Sequence, residues 1–305
     1  MNNISTTATA QFQTILDFLR FGVSEANKTD LFYGHGTDNA WDDIRSLVLS
    51  TLHLPFDLTD SYLMANLTAD EKALLTHNLM QRIIEKVPVP YLTNEAFFCD
   101  LSFYVDERVL IPRSPIAELI KQNFSPWIIN QHEVTSILDL CTGSACIAIA
   151  CAYAFPDAQI DAVDISADAL DVAAINCDRH ELQGTVALIE SNCWENLPIH
   201  GYDIIVSNPP YVGDEEMDEL PEEYRHEPDM ALRAQDNGLD IVVKILTRAH
   251  HYLNDNGILV VEVGNSEAAL AEAFPDLPFT WLEFEHGGSG VFLLTRKQLQ
   301  NYFER

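Results

Sequence analysis

The sequence predicts an α/β fold, a mostly parallel, doubly wound sheet with a terminal hairpin, preceded by a small N-terminal helical domain. Three observations carry that expectation. From Ser136 onward, short apolar runs alternate with helical patterns; before about Glu85 only helical periodicity is present; and 305 residues, 47% of them apolar, supply enough material for a large and a smaller core. The boundaries expected from these changes of texture are 1–86 for the helical domain, 87–112 for a β-hairpin or linker, and 113–305 for the sheet domain.

In the helical part, Phe12 to Phe21 and Trp41 to Leu52 repeat apolar residues at helical spacing. Thr68 and Glu71 form a T-x-x-E capping box ahead of Leu74, Leu75, Leu79, Ile83 and Ile84, which predicts a third helix. Pro88 to Pro112 mixes β-branched and aromatic residues with turn signals, as extended chain does. The sheet domain then reads in order: strand SILDLC and a helix over Ala145 to Phe155, strand IDAVDI and a helix over Ala167 to Asn176, strands VALIE and YDIIVS, a helix over Gly238 to Leu253, and strand GILVVEVG. FTWLEF and GVFLLT, with no clear helix between them, close the sheet.

Seventeen Lys and Arg against 47 Asp and Glu give a net charge of -30, which repels polyanions and attracts a basic partner. Nucleic acid is therefore disfavoured as a direct substrate, and a basic protein is favoured. The stretch MNNISTTATAQF has neither a basic n-region nor an apolar h-region, and no apolar run approaches the ~20 residues of a membrane span, so a cytoplasmic protein without a membrane partner is expected. The six cysteines form no CxxC pair and have no histidines at zinc-ligand spacing; they read as reduced, packed thiols, and no metal site is expected.

Three strand tips carry chemistry. Asp139, Cys141, Thr142, Gly143, Ser144 and Ala145 lie where the first sheet strand turns into its helix, a place where backbone amides cradle a nucleotide or a carboxylate. Asp164, followed by Ile165, ends the second strand roughly 20 residues later, where an acid suits both ribose hydroxyls; the competing reading is a helix N-cap. Asn192 and Cys193 end the third, beside Trp194, which is read either as a cover for an adenine ring or as a core residue.

The fourth strand ends in SNPPYVG. A primary amide or aromatic amine is a poor nucleophile because its lone pair is delocalised into the adjacent π-system. The Asn208 side-chain oxygen and the Pro209 carbonyl can each accept one N–H of such a group, aim its lone pair at an electrophile and hold it at roughly 3 to 3.5 Å. Pro209 and Pro210 stiffen the placement by fixing φ, and Tyr211 can lie against the flat amide. The bland alternative is a turn, which N-P often marks.

This tip resembles the N-P-P-[aromatic] motif of S-adenosylmethionine-dependent methyltransferases acting on planar NH2 groups. The first tip departs from that pattern's D-x-G-x-G at Cys141 and Ala145, where a Cβ narrows the loop. Val109 to Arg113 (VLIPR), the upstream PYL, and the downstream HEPDMAL and NGLD extend the likeness to the protein-(glutamine) methyltransferase family, from about Ile83 to Thr295. CTGSAC at Cys141 to Cys146 and PRSPIAELI at Pro112 to Ile120 are similar to the branch acting on ribosomal protein L-three rather than the release-factor branch. Gln235 stands where the family often has glycine.

The resemblance implies a Rossmann-like class I methyltransferase with S-adenosylmethionine as cofactor and S-adenosylhomocysteine as product. It implies cofactor contacts at Asp139, 141–145, Asp164, Ile165, Asn192, Cys193 and Asn208, and a glutamine held by Asn208, Pro209, Pro210 and Tyr211. Arg113 is expected either at the substrate or in a salt bridge with the following acidic run, and the helical domain in substrate recognition. That run, Asp214 to Asp229, carries nine carboxylates against Arg225 alone and reads either as a solvated loop or as a steering surface for a basic substrate. The alternatives are a release-factor glutamine methyltransferase, a nucleic-acid adenine methyltransferase, a nicotinamide-dependent dehydrogenase and a non-catalytic ribosome-assembly binder.

Overall fold

The computed structural model describes residues 9–197 and 199–304. Its contacts divide the chain into two units, one reaching to Ala96 and taking in Pro221–His226, the other formed by Phe97–Leu220 and the chain from Glu227 onward.

In the first unit, α1 (Ile15–Ala26), α2 (Ala40–Thr51) and α3 (Ala69–Ile83) pack around Phe18, Leu19, Ile44, Leu47, Leu75 and Leu79. Reciprocal capping boxes start α1 (Thr14, Asp17) and α3 (Thr68, Glu71), each satisfying amides that a helix start otherwise leaves without partners. Of the apolar positions in and just after α3, Leu75, Leu79 and Ile83 face inward while Leu74 and Ile84 are exposed, as a fourfold spacing along one helix face requires. A salt-bridged cluster completes this core. Arg82, 1% exposed, donates from Nε to Asp43 (2.7 Å), from Nη1 to Glu223 (3.3 Å) and from Nη2 to the Phe32 carbonyl (2.9 Å).

Strands β1 (Ala96–Phe98) and β2 (Leu101–Phe103) form a hairpin whose two turn residues, Cys99 and Asp100, both take positive φ (50° and 64°), the condition for a tight hairpin turn with the twist of its strands. The second unit is built on a seven-stranded sheet. Its strands are β3 (Ser136–Leu140), β4 (Gln159–Asp164), β5 (Val186–Glu190), β6 (Tyr202–Ser207), β7 (Leu253–Glu262), β8 (Thr280–Trp281) and β9 (Val291–Thr295), in the order β5-β4-β3-β6-β7-β9-β8. The first five are parallel, and β9 runs antiparallel to both β7 and β8.

Side-chain alternation sorts the strands onto two cores. Ile137, Ile160, Ile204 and Val260 meet α4 (Ile116–Lys121), α5 (Cys146–Ala154) and α6 (Ala167–Arg179) on one face. Leu138, Leu140, Ile205 and Leu259 meet α7 (Asp240–Ala249), α8 (Glu267–Ala273) and α9 (Arg296–Phe303) on the other. Chain order reverses between β3 and β6, so their carboxyl ends lie side by side with Leu140 opposite Ser207. A crevice at such a switch point is where open α/β sheets bind ligands.

The expected doubly wound sheet with an antiparallel closure is present. FTWLEF contributes only Thr280 and Trp281 as strand, at the sheet edge. The sequence pattern passed over α4, α8 and α9, which are short or, in α9, mostly polar. No helix among the described residues is long and apolar enough to cross a membrane.

Candidate functional site

The switch point opens into a cavity lined by Cys141 to Ser144, by Asp164 to Ser166, by Asn208 and Pro210, and by the segments Arg108 to Leu110, Pro112 to Ser114 and Pro228 to Ala231. Each wall follows from local geometry. After β3 the chain alternates into the left-handed region at Cys141, Gly143 and Ala145 (φ 60°, 54° and 62°). For residues with a Cβ this conformation costs roughly 1–2 kcal/mol each, so surrounding contacts must hold it. Those contacts are visible: the Thr142 hydroxyl donates to Asp139 Oδ2 (2.5 Å), the Thr142 amide to the Val163 carbonyl (2.9 Å), and the Gly143 amide to Asp164 Oδ2 (2.9 Å). A Cβ on Gly143 would meet no atom within 4 Å, so its missing side chain leaves open space beside the cavity. The Ala145 methyl instead packs into the core beneath α5, fully buried, and does not narrow the cavity.

Asp139 lies behind this loop, completely buried, and its Oδ1 has no hydrogen-bond partner among the described residues. Burial pushes its carboxyl up to about 7 despite the bonds from Thr142 and the Ala148 amide, with the Asp164 charge adding to the rise. Asp164 is not the helix cap. Ser166 caps α6, while Asp164 accepts the Ser166 amide on Oδ1 and the Gly143 amide on Oδ2, joining the first two tips. Burial raises its carboxyl as well. Ile165, 54% exposed, and Met230, 60% exposed, both line the cavity and give it apolar surface that a ligand would cover.

The third tip stands apart. Asn192 donates to Glu195 Oε1 (3.1 Å), Cys193 is buried with its thiol against that of Cys141, and neither lines the cavity. Trp194 is a core residue, stacked on Tyr252 at 4.5 Å with its Nε1 donating to the Lys244 carbonyl. The adenine-cover reading of Trp194 therefore gives way to packing.

At the fourth tip the Ser207 hydroxyl donates to the Leu140 carbonyl (2.7 Å), fixing β6 against β3. Asn208 then lines the cavity, and its side-chain amide makes no hydrogen bond among the described residues. Pro209 is buried and Pro210 lines the cavity. Val212 pairs with the chain at Leu232 to Ala234, so the tip is braced on its far side. Gln235 keeps an ordinary φ. The left-handed residues come next, at Asp236, Asn237 and Gly238, and it is Gly238 that has no room for a Cβ, which would lie 2.1 Å from the Tyr211 carbonyl oxygen.

The acidic run is largely engaged. Glu227 grips Arg113 bidentately (2.7 and 3.0 Å), Glu223 belongs to the Arg82 cluster, Glu222 meets Lys86, and both Asp214 and Asp229 bind Arg233. His226 Nε2–H donates to the Glu85 carbonyl (2.9 Å). His226 and Glu227 thus fix the loop, and Glu215, Asp218 and Glu219 are exposed carboxylates of the run without an ion pair among the described residues. Arg108, paired with Asp106, and the first turns of α5 and α6 complete the cavity; sequence reasoning assigned them no role, although the quoted VLIPR and HEPDMAL blocks contain other lining residues. The one cluster of potential metal ligands among the described residues, His250, His251 and Glu304, does not line the cavity.

A parallel sheet in this order, with its cavity at the tips of β3, β4 and β6, defines a Rossmann-like class I methyltransferase. Residues 126–224 match the family model described as Methyltransferase small domain. The fold is shared with the hMettl16 catalytic domain, solved in complex with a MAT2A 3'UTR hairpin, at a TM-score of 0.50 and 15% identity over 75% of this chain and 81% of that one. The chain is 47% identical over 289 residues to the ribosomal protein uL3 glutamine methyltransferase of Francisella tularensis subsp. tularensis, covering 95% of this chain and 92% of the relative. It is 49% identical over 292 residues to the protein of the same name from Neisseria meningitidis serogroup B, covering 96% of each. The chain belongs to the family of ribosomal protein uL3 glutamine methyltransferases.

Proposed function

We propose that this protein transfers a methyl group from S-adenosylmethionine to the side-chain amide nitrogen of a glutamine in ribosomal protein uL3, and that it does so in the cytoplasm. The observation that carries the reading is Asn208: a carboxamide with no hydrogen-bond partner among the described residues, set at the tip of β6 directly before two prolines and lining the cavity. A polar group held in a packed tip without a partner is one whose partner arrives with the ligand.

The residues present fit the cofactor. The Asp164 carboxylate at the cavity wall suits its ribose, Asp139, buried behind the loop with Oδ1 unpartnered, suits its positively charged methionine end through its field, the space beside Gly143 gives room, and Ile165 offers an apolar surface for adenine. When bound, S-adenosylmethionine supplies a methyl carbon made electrophilic by its sulfonium. The chain's own part is to orient the acceptor. Asn208 and the Pro209 carbonyl accept the two N–H bonds of the glutamine amide, and Tyr211 flanks it. Positive charge grows on that nitrogen during attack, so the acceptors stabilise the transition state more than the ground state. The methylated, protonated amide is strongly acidic, and its proton leaves without a dedicated base. Glu227 and Arg113 keep the 227–231 wall in place, and the helical unit recognises the folded substrate.

The test is incubation with labelled S-adenosylmethionine and separated ribosomal proteins and release factors, followed by mapping of the mass gain. A methyl on a uL3 glutamine is expected; label on a release factor or on RNA alone would overturn the reading.

A further inference from the structure

Beside the catalytic tip lies a buried acid that the scheme above does not use. Glu262, the last residue of β7, is 5% exposed. Its Oε1 accepts the Tyr211 hydroxyl at 2.9 Å, and its Oε2 accepts the Ser114 hydroxyl at 2.5 Å. Ser114 follows Arg113 and lines the cavity, so one carboxylate joins the cavity wall, the end of β7 and the tip of β6. A buried carboxylate is an expensive way to fill space, because desolvation penalises its charge and an apolar residue of similar size packs at less cost. Burial raises its pKa, against the pull of Ser114, Tyr211 and the Arg113 charge.

Tyr211 is held at two further points. Its carbonyl accepts the Ser266 hydroxyl at 3.0 Å, and a Cβ on Gly264 would stand 2.5 Å from its ring. Gly264 thus limits the ring along one edge, and the hydroxyl bond to Glu262 anchors its far end.

We propose that Glu262, with Ser114 as its second contact, is a positioning residue for methyl transfer: it fixes the Tyr211 ring so that the tyrosine forms one wall of the glutamine subsite. The proposal rests on the functional reading above. It deepens that reading by adding a residue that touches neither the donor nor the acceptor but acts through Tyr211.

The experiment compares wild type, Glu262→Ala, Glu262→Gln, Ser114→Ala, Tyr211→Phe and Glu262→Ala/Tyr211→Phe in steady-state methylation of uL3, with the affinity for S-adenosylhomocysteine measured by calorimetry. Misplacing a substrate wall by a fraction of an ångström should lower kcat by roughly 10- to 100-fold for Glu262→Ala. The KM for uL3 and the S-adenosylhomocysteine affinity should move by less than about 3-fold, because neither ligand loses a direct contact. Glu262→Gln should recover most of the turnover, since its carboxamide oxygen still accepts from Tyr211 and its NH2 can donate to the Ser114 oxygen. In the Tyr211→Phe background, Glu262→Ala should cost little more, as two residues acting through one bond are not additive. Full kcat in Glu262→Ala, an equal loss in both backgrounds, or no recovery by Gln would overturn the proposal. If Glu262→Ala does not fold, Glu262→Gln and Ser114→Ala decide it: near-normal turnover in the first and a loss of kcat alone in the second are expected, and the reverse refutes it. Wild type failing to label uL3 refutes the functional reading instead, so the two failures are distinct.

Discussion

Asn208 and Asp139 are two side chains at the strand tips whose hydrogen bonding is left incomplete among the described residues, and each yields a measurable consequence. Removing the amide in Asn208→Ala deletes one preorganised acceptor at the nitrogen that gains charge, and turnover should fall about 10²- to 10³-fold with cofactor affinity much less affected. Single-turnover kinetics with calorimetry checks this, and near-normal turnover would remove Asn208 from the mechanism. Asp139 titrates at about 7 when buried, against 3.8 for an exposed aspartate. The native state therefore holds that proton more tightly than the unfolded chain. Its contribution to stability is fully present below pH about 3.8 and is lost as pH rises toward about 7. A cation bound in the cavity in front of Asp139 opposes that preference and favours the ionised acid. Affinity for S-adenosylhomocysteine, which keeps the ammonium group, should thus rise from pH 5.5 to 7 by up to ~10-fold per pH unit, and Asp139→Asn should flatten the profile. A wild-type profile as flat as the variant's would show that the cofactor does not engage this carboxyl.

At the scale of elements, long-range ion pairing rather than helix propensity sets the vulnerable points. Arg82 on α3 neutralises Asp43 on α2 and Glu223, 141 residues away in sequence, and all three are nearly fully buried. Arg82→Met leaves two buried carboxylates without a cation and should cost about 3–5 kcal/mol in urea unfolding, whereas Lys86→Ala, at the more exposed pair with Glu222, should cost about 1 kcal/mol or less. Equal small losses would mean that the cluster is not a stabilising element. The same cluster marks the limit of what the sequence discloses. β3 to β7 and their long helices were legible because apolar runs and helical periodicity alternate there, and the end of β6 was legible because Asn208, Pro209 and Pro210 directly follow its apolar run. The pairing of Glu223 with Arg82, of Glu227 with Arg113 and of Glu262 with Tyr211 was not legible, since no local spacing connects residues so distant along the chain. The two readings of Trp194 stayed open for a related reason: its neighbour Tyr252 is brought to it only by the packed sheet. At Ala145 the narrowing that the sequence suggested is absent, because the methyl points into the core, whereas Cys141, also left-handed, lines the cavity.

For the whole molecule the dominant quantity is a net charge of -30, and the structure redistributes its meaning. Five carboxylates of the acidic run are bound to cations of the protein itself, so the run alone is a weaker attractor than its nine acids suggest. Steering of a basic substrate must then come from the summed field of the entire surface, reinforced by Glu215, Asp218 and Glu219 beside the tip. A field of that kind decays over a Debye length of roughly 30 Å at 0.01 M salt and roughly 8 Å at 0.15 M, while contacts inside the cavity are shielded from the change. Raising salt across that range should therefore lower kcat/KM for uL3 by about 10-fold or more through slower association, with kcat and S-adenosylhomocysteine affinity nearly constant. Replacing Glu215, Asp218 and Glu219 together by glutamine should remove only part of that dependence, because most of the charge lies elsewhere. If the triple variant abolished the salt effect, steering would be local to the loop; if wild type showed no salt effect, association would owe nothing to the field and substrate selection would rest on short-range contacts alone.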